Sequence, residues 1–425
     1  MKKHQIDAQE VLLADLCYPD QIGQYGIPAA GEPYTKDKNR YLRITDISDD
    51  GLLLDTDKKG VSGEIDERYF LSEGDVVFAR TGNSTGRSYL YDKNDGRLVY
   101  AGFLIKYKLD PTKVNPRYIH YFTQSAYYKA WVKNLSGGST RGNISATTFA
   151  ECPIYLPDRI RQDYLVNVLS VIDCKIALNR KRIATLEAMA KEIYDYWFVQ
   201  FDFLDAHGRP YKSSGGAMVY NPDLKREIPK GWEVRPLGEV AEVVNGATPS
   251  TTNPKNYDGD IVWITPKDLS DQRSKFTYGG SRTISREGYD SCSTHMLPRG
   301  SILMSSRAPI GLLSIAAVDL CTNQGFKSFV PKEIDDNLYL YYYLKEHMAQ
   351  IEAMGSGTTF KEVSRESMIS FPIPYESDRR AYASFVAIVK PIFNQQELLV
   401  KELARLSALR DFLLPVLMNG QVKVR

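Results

Sequence analysis

Apolar residues recur every seven positions along two stretches of this chain, and those stretches set its organisation. Leu165, Ile172, Asn179, Leu186 and Ile193 alternate with Leu169, Ile176, Ile183, Ala190 and Trp197, the spacing of a coiled-coil seam. Phe385, Ile392, Leu399, Leu406 and Leu413 repeat it, with Gln396 and Arg410 interrupting the companion row. No glycine falls between Arg159 and Gln200 or between Arg379 and Met418, so two long helices are predicted. Pro391 and Pro415 are expected to kink or fray the second. About 40 helical residues extend about 60 Å, at roughly 1.5 Å per residue. That exceeds what one domain needs for its own core, so both helices read as spacers. A helix packed only on its own domain is the plainer alternative, but the pattern comes twice at equivalent places. Two such helices related by a pseudo-twofold pair antiparallel, with one globular domain at either end. Asn179 in the seam either sets register or is simply solvated.

The remaining chain repeats as well. GGSTRGNISATTFAECPI (137–154) and SGTTFKEVSRESMISFPI (356–373) share G-x-T, then I/V-S, then P-I. Gly138 to Gly357 and Pro153 to Pro372 are both shifts of 219. EGDVVFARTG (73–82) matches RGSILMSSRA (299–308), Gly102-Phe103 matches Gly325-Phe326, and RITDI (43–47) faces WITPKDL (263–269). The shift drifts to about 220–227 there, as it does when two copies keep a scaffold and diverge in surface loops. Short strands are expected near 75–80, 103–109, 261–265 and 301–307, with helices near 116–132 and 337–353. The fold class is α+β: two mixed α/β globular domains separated by two long antiparallel coiled-coil helices, in a pseudo-twofold internal repeat. The expected division is a globular domain over 1–158, a long helix over 159–202 and a connector over 203–227. A second globular domain covers 228–376 and a second long helix 377–425.

Composition narrows the chemistry. With 54 basic and 52 acidic residues the net charge is only +2, so a nucleic-acid partner would be met by local clusters or shared with another subunit. Five cysteines (Cys17, Cys152, Cys174, Cys292, Cys321) show no C-x-x-C spacing, which suits a reducing cytosol. The start, MKKHQIDAQE, lacks the apolar run of a signal peptide, and no stretch approaches the roughly 18 apolar residues of a membrane span. A cytoplasmic chain without a membrane partner is expected.

Two patterns resemble catalytic motifs. Gly82 to Ser88 follows an apolar strand like a phosphate-binding loop, but it is one residue short and Arg87 replaces the lysine. Asn115-Pro116-Arg117-Tyr118 resembles the Asn-Pro-Pro-Tyr of adenine methyltransferases, yet no glycine-rich cofactor loop precedes it. A helix cap at Asn115 with Pro116 at the first helical position explains it fully. The five histidines show no metal-ligand spacing, and no serine sits in G-x-S-x-G. No catalytic residue and no metal site is assigned.

The order of globular unit, long helix, connector, globular unit and long helix resembles the specificity subunit of type I restriction-modification enzymes over nearly the whole chain. WFVQFDF (197–203), YKSSGGAMVYN (211–221), IPKGWEVRPLGEV (228–240) and TNQGFKSF (322–329) carry the likeness, with the paired G-x-T and P-I segments. The I-P-x-G-W entry at 228–232 has no counterpart near EVLLADLCYPD in the first unit. The resemblance implies that each globular unit is a target recognition domain reading one half of an asymmetric, interrupted sequence in double-stranded DNA. It implies a non-catalytic chain whose helices dock two methyltransferase subunits, with restriction and translocase subunits joining them. S-adenosylmethionine, ATP and Mg are then expected on those partners, and no cofactor on this chain. Half-sites on one duplex face lie roughly 34 Å apart, within reach of such a ruler. The rival reading is a coiled-coil scaffold without DNA specificity; a nucleotide-dependent enzyme is a second rival.

Base readout uses side chains that direct hydrogen bonds. In loops beside strand ends, Arg43, Thr45, Arg80, Thr81, Thr140 and Arg141 are the candidates of the first copy. Thr265, Lys267, Arg307, Thr359 and Lys361 are their rough counterparts. Arg180, Lys181 and Arg182 either touch phosphates or form a solvated helix face.

Overall fold

A computed structural model describes residues 8–135, 142–272, 274–333, 335–356 and 361–418. The chain divides into two compact units, residues 1–177 with 405–425 and residues 178–404. Each therefore contains segments of both long helices, Arg159–Tyr194 and Arg380–Met418.

In the first unit a four-stranded antiparallel sheet runs in the order Gln24–Tyr25, Leu104–Lys108, Asp75–Ala79, Ser88–Leu90. A second four-stranded sheet holds Glu32–Pro33, Lys59–Val61, Asn39–Leu42 and Leu98–Tyr100, the last pair parallel. Strand Ala8–Leu12 pairs antiparallel with Pro153–Pro157. The central strand Asp75–Ala79 is buried from end to end, and Val76, Phe78, Ile105 and Tyr107 pack with Tyr118, Ile119, Phe122 and Phe149.

The second unit repeats this plan. Trp232–Pro236 pairs antiparallel with Pro372–Glu376, as Ala8–Leu12 does with Pro153–Pro157, so the first unit has its entry strand without the I-P-x-G-W signature. A five-stranded sheet follows the order Ala241–Asn245, Phe326–Pro331, Ile302–Ser305, Leu313–Ala316, Phe276–Thr277. A three-stranded sheet is centred on Tyr257–Ile264. The 203–227 stretch carries more than turns, since Met218–Asn221 forms a hairpin with Arg226–Pro229. The repeated sequence segments now have physical meanings. Ile144 and Val363 are core residues. Ser145 and Ser364 cap the short helices Ala146–Ala150 and Arg365–Ile369, accepting from Thr148 N at 3.1 Å and Ser367 N at 3.0 Å.

Where single helices were expected near 116–132 and 337–353, each is divided. Pro116–Gln124 and Ala126–Leu135 break at Ser125, whose backbone is extended; Asp336–Glu346 and Met348–Ala353 break at His347. The second long helix, by contrast, runs unbroken from Arg380 to Met418. The fraying expected at its prolines does not occur at Pro391: burial of Phe385, Val389 and Phe393 outweighs one lost backbone hydrogen bond.

The heptad positions form a seam in each unit. In the second unit Trp197 meets Phe385 (ring centroids 6.2 Å apart), Glu187 meets Gln396 (3.2 Å) and Asn179 Nδ2 donates to Glu402 (2.8 Å). The numbers rise on one helix as they fall on the other, so these segments are antiparallel. Asn179 is wholly buried rather than solvated. In the first unit Asp173 lies 3.7 Å from Arg410, and Val166 and Leu169 share a core with Leu417 and Met418.

Candidate nucleic-acid interface

One loop cluster occurs in both units, built by the same backbone contacts. In the first, Ala101 N donates to Leu42 O (3.0 Å), Ile27 N to Tyr100 O (3.0 Å), Arg80 N to Phe103 O (3.1 Å) and Ile144 N to Arg80 O (2.9 Å). In the second, Asn323 N donates to Ile264 O (3.0 Å), Ala247 N to Thr322 O (3.0 Å), Ser306 N to Gly325 O (2.8 Å) and Val363 N to Ser306 O (3.0 Å). The loops after four strand ends are thereby tied together at one end of each sheet. A glycine makes the closest crossing possible. A Cβ on Gly26 would stand 2.3 Å from the carbonyl oxygens of Tyr100 and Ala101, and one on Gly246 would stand 2.2 Å from Asn323 O. Neither glycine was singled out from the sequence; the only signal was its place 220 residues from its counterpart in matching loops.

The turn after the strand at Leu42 and Ile264 is the same in both units. Asp46 and Asp268 are buried and accept from the backbone N of Arg43 (2.7 Å) and Thr265 (2.8 Å). These caps occupy two predicted residues. Arg43 also places its guanidinium on Asp46 (Nη2 to Oδ1, 2.7 Å) and on the Asp57 carbonyl (2.9 Å), and the Asp46 hydrogen bond raises its pKa. Thr265 Oγ1 donates to Asp268 at 2.6 Å. Burial pushes Asp268 upward, but the hydrogen bonds from Thr265 and Ser281 outweigh it and hold the carboxyl below its ordinary value. Arg43 and Thr265 therefore brace the turn. Two residues on from each cap, Thr45 and Lys267 are equivalent and exposed.

Strand pairing keeps the match of 73–82 to 299–308 and corrects the match of Phe103 to Phe326 by one residue, so that Arg80 and Arg307 are neighbours in register rather than equivalents. Ala79 faces Leu104 and Ser305 faces Phe326. Hence Leu104, not Phe103, is the counterpart of Phe326; Ser306 stands where Arg80 stands, and Arg307 stands where Thr81 stands. Both arginines nonetheless reach one partner position. Arg80 Nε donates to Asn143 Oδ1 and Arg307 Nε to Glu362 Oε2, each at 2.9 Å, and Asn143 and Glu362 are again 219 residues apart. Arg80 also lies over Tyr25, 4.9 Å from its ring centroid. Lys327, almost wholly buried, donates to Glu362 Oε1 at 3.0 Å. Burial pushes Glu362 upward, but hydrogen bonds from Lys327 and Arg307 prevail and lower its pKa. Thr81 precedes a short turn, Gly82–Ser84, and Lys361 is exposed beside Glu362. Thr140, Arg141 and Thr359 lie outside the described residues. Asn143, Glu362, Tyr25 and Lys327 are the members that sequence reasoning missed.

The apparent catalytic motifs take structural roles. Gly82–Ser88 is the turn of an antiparallel hairpin between Asp75–Ala79 and Ser88–Leu90, so no helix follows to receive a phosphate. Asn115 caps the helix at Pro116, accepting from Arg117 N at 3.0 Å, and its amide donates to Asp163 at 2.7 Å. Asp336, its rough counterpart, is paired instead with Arg379 at the start of the second long helix. Among the described residues no three His, Cys, Asp or Glu side chains gather as metal ligands, and no helix is long and apolar enough to cross a membrane.

A model of the type I restriction modification DNA specificity domain matches residues 7–188 and again 229–398, one match for each copy of the loop cluster. The chain belongs to this family. The MjaIX specificity subunit of Methanocaldococcus jannaschii is 40% identical over 153 residues, 36% of this chain and 35% of that protein. The HindI specificity subunit of Haemophilus influenzae is 24% identical over 411 residues, 83% of this chain and 87% of that one. The crystal structure of a type I restriction-modification S subunit from M. genitalium is similar over 98% of this chain and 97% of its own, with a TM-score of 0.59 at 16% identity. That likeness concerns the fold.

Proposed function

We propose that this specificity-family chain recognises double-stranded DNA, each unit reading one half of an asymmetric, interrupted site through its loop cluster. The observation that carries this is a shared backbone with different side chains at equivalent positions: Thr45 and Lys267, Arg80 and Ser306, Thr81 and Arg307, Asn143 and Glu362. A common frame with substituted donors and acceptors is what two different base sequences require. A protein-binding scaffold gives no reason for the same frame to carry different hydrogen-bonding groups.

In this reading the chain performs no chemistry. The long helices dock two methyltransferase subunits in the cytoplasm, and restriction and translocase subunits complete the assembly. S-adenosylmethionine, ATP and Mg bind those partners. The test is co-expression with the methyltransferase subunit followed by mapping of methylated adenines across a genome. One bipartite motif with a fixed gap and unlike halves is expected. A stable complex that adds no methylation, or a palindromic motif, would overturn the reading.

A further inference from the structure

Arg80 and Arg307 present their guanidinium groups alike from backbone positions that are not equivalent. The arginine of the second unit lies one residue further along the loop, yet its Nε makes the same 2.9 Å hydrogen bond to the equivalent partner position, 143 or 362. The holding groups are themselves held. Glu362 is anchored by Lys327, whose side chain is 6% exposed and whose Nζ also reaches Ser306 Oγ at 3.4 Å. Arg80 is steadied by the Tyr25 ring beneath it. Each cluster carries the same net charge, one positive: Arg80 beside neutral Asn143, and Arg307 with Lys327 against Glu362. Among the described residues, Nη1 and Nη2 of both arginines make no hydrogen bond to protein. Fixing Nε fixes the plane of the guanidinium and leaves its two outer nitrogens as an end-on fork.

Such a fork matches O6 and N7 on the major-groove edge of guanine. A phosphate also accepts both prongs of such a fork, but only a base contact makes affinity depend on guanine N7. We propose that Arg80 and Arg307 each read one guanine through Nη1 and Nη2, with Asn143 and Glu362 as positioning residues that set the fork. The proposal rests on the DNA-reading function above and adds the base read and the residues that orient the reader.

The test uses the full chain in complex with its methyltransferase subunits, binding duplexes in which each guanine of the methylated motif is replaced in turn by 7-deazaguanine, which lacks the N7 acceptor. The wild-type complex should lose about tenfold in affinity at one guanine per half-site. In Arg307→Lys, which replaces the fixed fork by a single flexible ammonium, that discrimination should fall several-fold for the half read by the second unit and persist in the other half; Arg80→Lys should do the reverse. Glu362→Ala should weaken discrimination, and Glu362→Gln, which supplies an amide oxygen like that of Asn143, should restore it. If a lysine variant does not assemble, the two Glu362 variants carry the test. Uniform weakening with undiminished discrimination assigns the arginines to phosphates and overturns the proposal, as does a bipartite motif lacking guanine in either half. Failure of the wild-type complex to methylate any bipartite sequence overturns instead the function on which it rests.

Discussion

Glu187→Ala tests whether a buried ionic network joins the first long helix to the rest of the second unit. Glu187 Oε2 accepts from Lys275 Nζ (2.7 Å), Tyr342 OH (3.0 Å) and Gln396 Nε2 (3.2 Å), and Oε1 from Lys345 Nζ (2.8 Å). The Lys275 side chain is only 10% exposed, with Nζ 3.4 Å from the centroid of the Phe393 ring. Burial, the largest cause, pushes Lys275 down to about 8 against the pull of Glu187. On Glu187 burial pushes upward, but Lys275 and Lys345 outweigh it and hold the carboxyl at about 2. Removing the carboxylate strands a buried ammonium, which costs about 3–5 kcal/mol in comparable sites. Tyr342, Gln396 and the Phe393 ring still face Lys275, so about 3 kcal/mol is expected. Urea unfolding followed by tryptophan fluorescence reports it, because Trp197, Trp232 and Trp263 all lie in the second unit. Adding Lys275→Met should return part of the loss, since no unpaired charge then remains. A loss below about 1 kcal/mol, or a double variant as unstable as the two single losses added, would refute the reasoning. The pH dependence carries a matching sign. The carboxyl is depressed from 4.5 to about 2, so its contribution is complete above pH 4.5 and is lost as pH falls toward 2. Glu187→Ala should flatten that acid limb.

Gly246→Ala should destabilise the second unit by about 1–3 kcal/mol, because the new Cβ would stand 2.2–2.3 Å from the Asn323 and Thr322 carbonyl oxygens; an unchanged urea midpoint would contradict so close a crossing. Replacing the exposed Arg180, Lys181 and Arg182 together with alanine should leave sequence preference intact. If all three neutralise phosphates, the slope of log affinity against log salt falls by about 2.7; an unchanged slope assigns them to a solvated face. Lys267→Ala should alter affinity for the half-site of the second unit, and Thr45→Ala for the other half only, as read by binding to duplexes with one half-site scrambled. Equal effects on both scrambled duplexes would remove these turns from the interface.

The sequence by itself determined what is periodic or repeated. Heptads at 165–197 and 385–413 marked the two long helices, and the shift of 219 marked the Ser-capped helices and the P-I strands. The match of RITDI to WITPKDL placed Thr45 and Lys267 on equivalent turns. Such signals are local, or are copied whole, so they survive in one dimension. Tertiary structure alone decided the pairings across long separations: Arg80 with Asn143, Arg307 with Glu362, Lys275 with Glu187, and Gly246 beneath Asn323. It also moved the counterpart of Phe326 from Phe103 to Leu104, because strand pairing fixes register through backbone hydrogen bonds whereas residue likeness does not. At Pro391 it overruled local propensity, since the apolar face buried around that residue stabilises more than one backbone hydrogen bond.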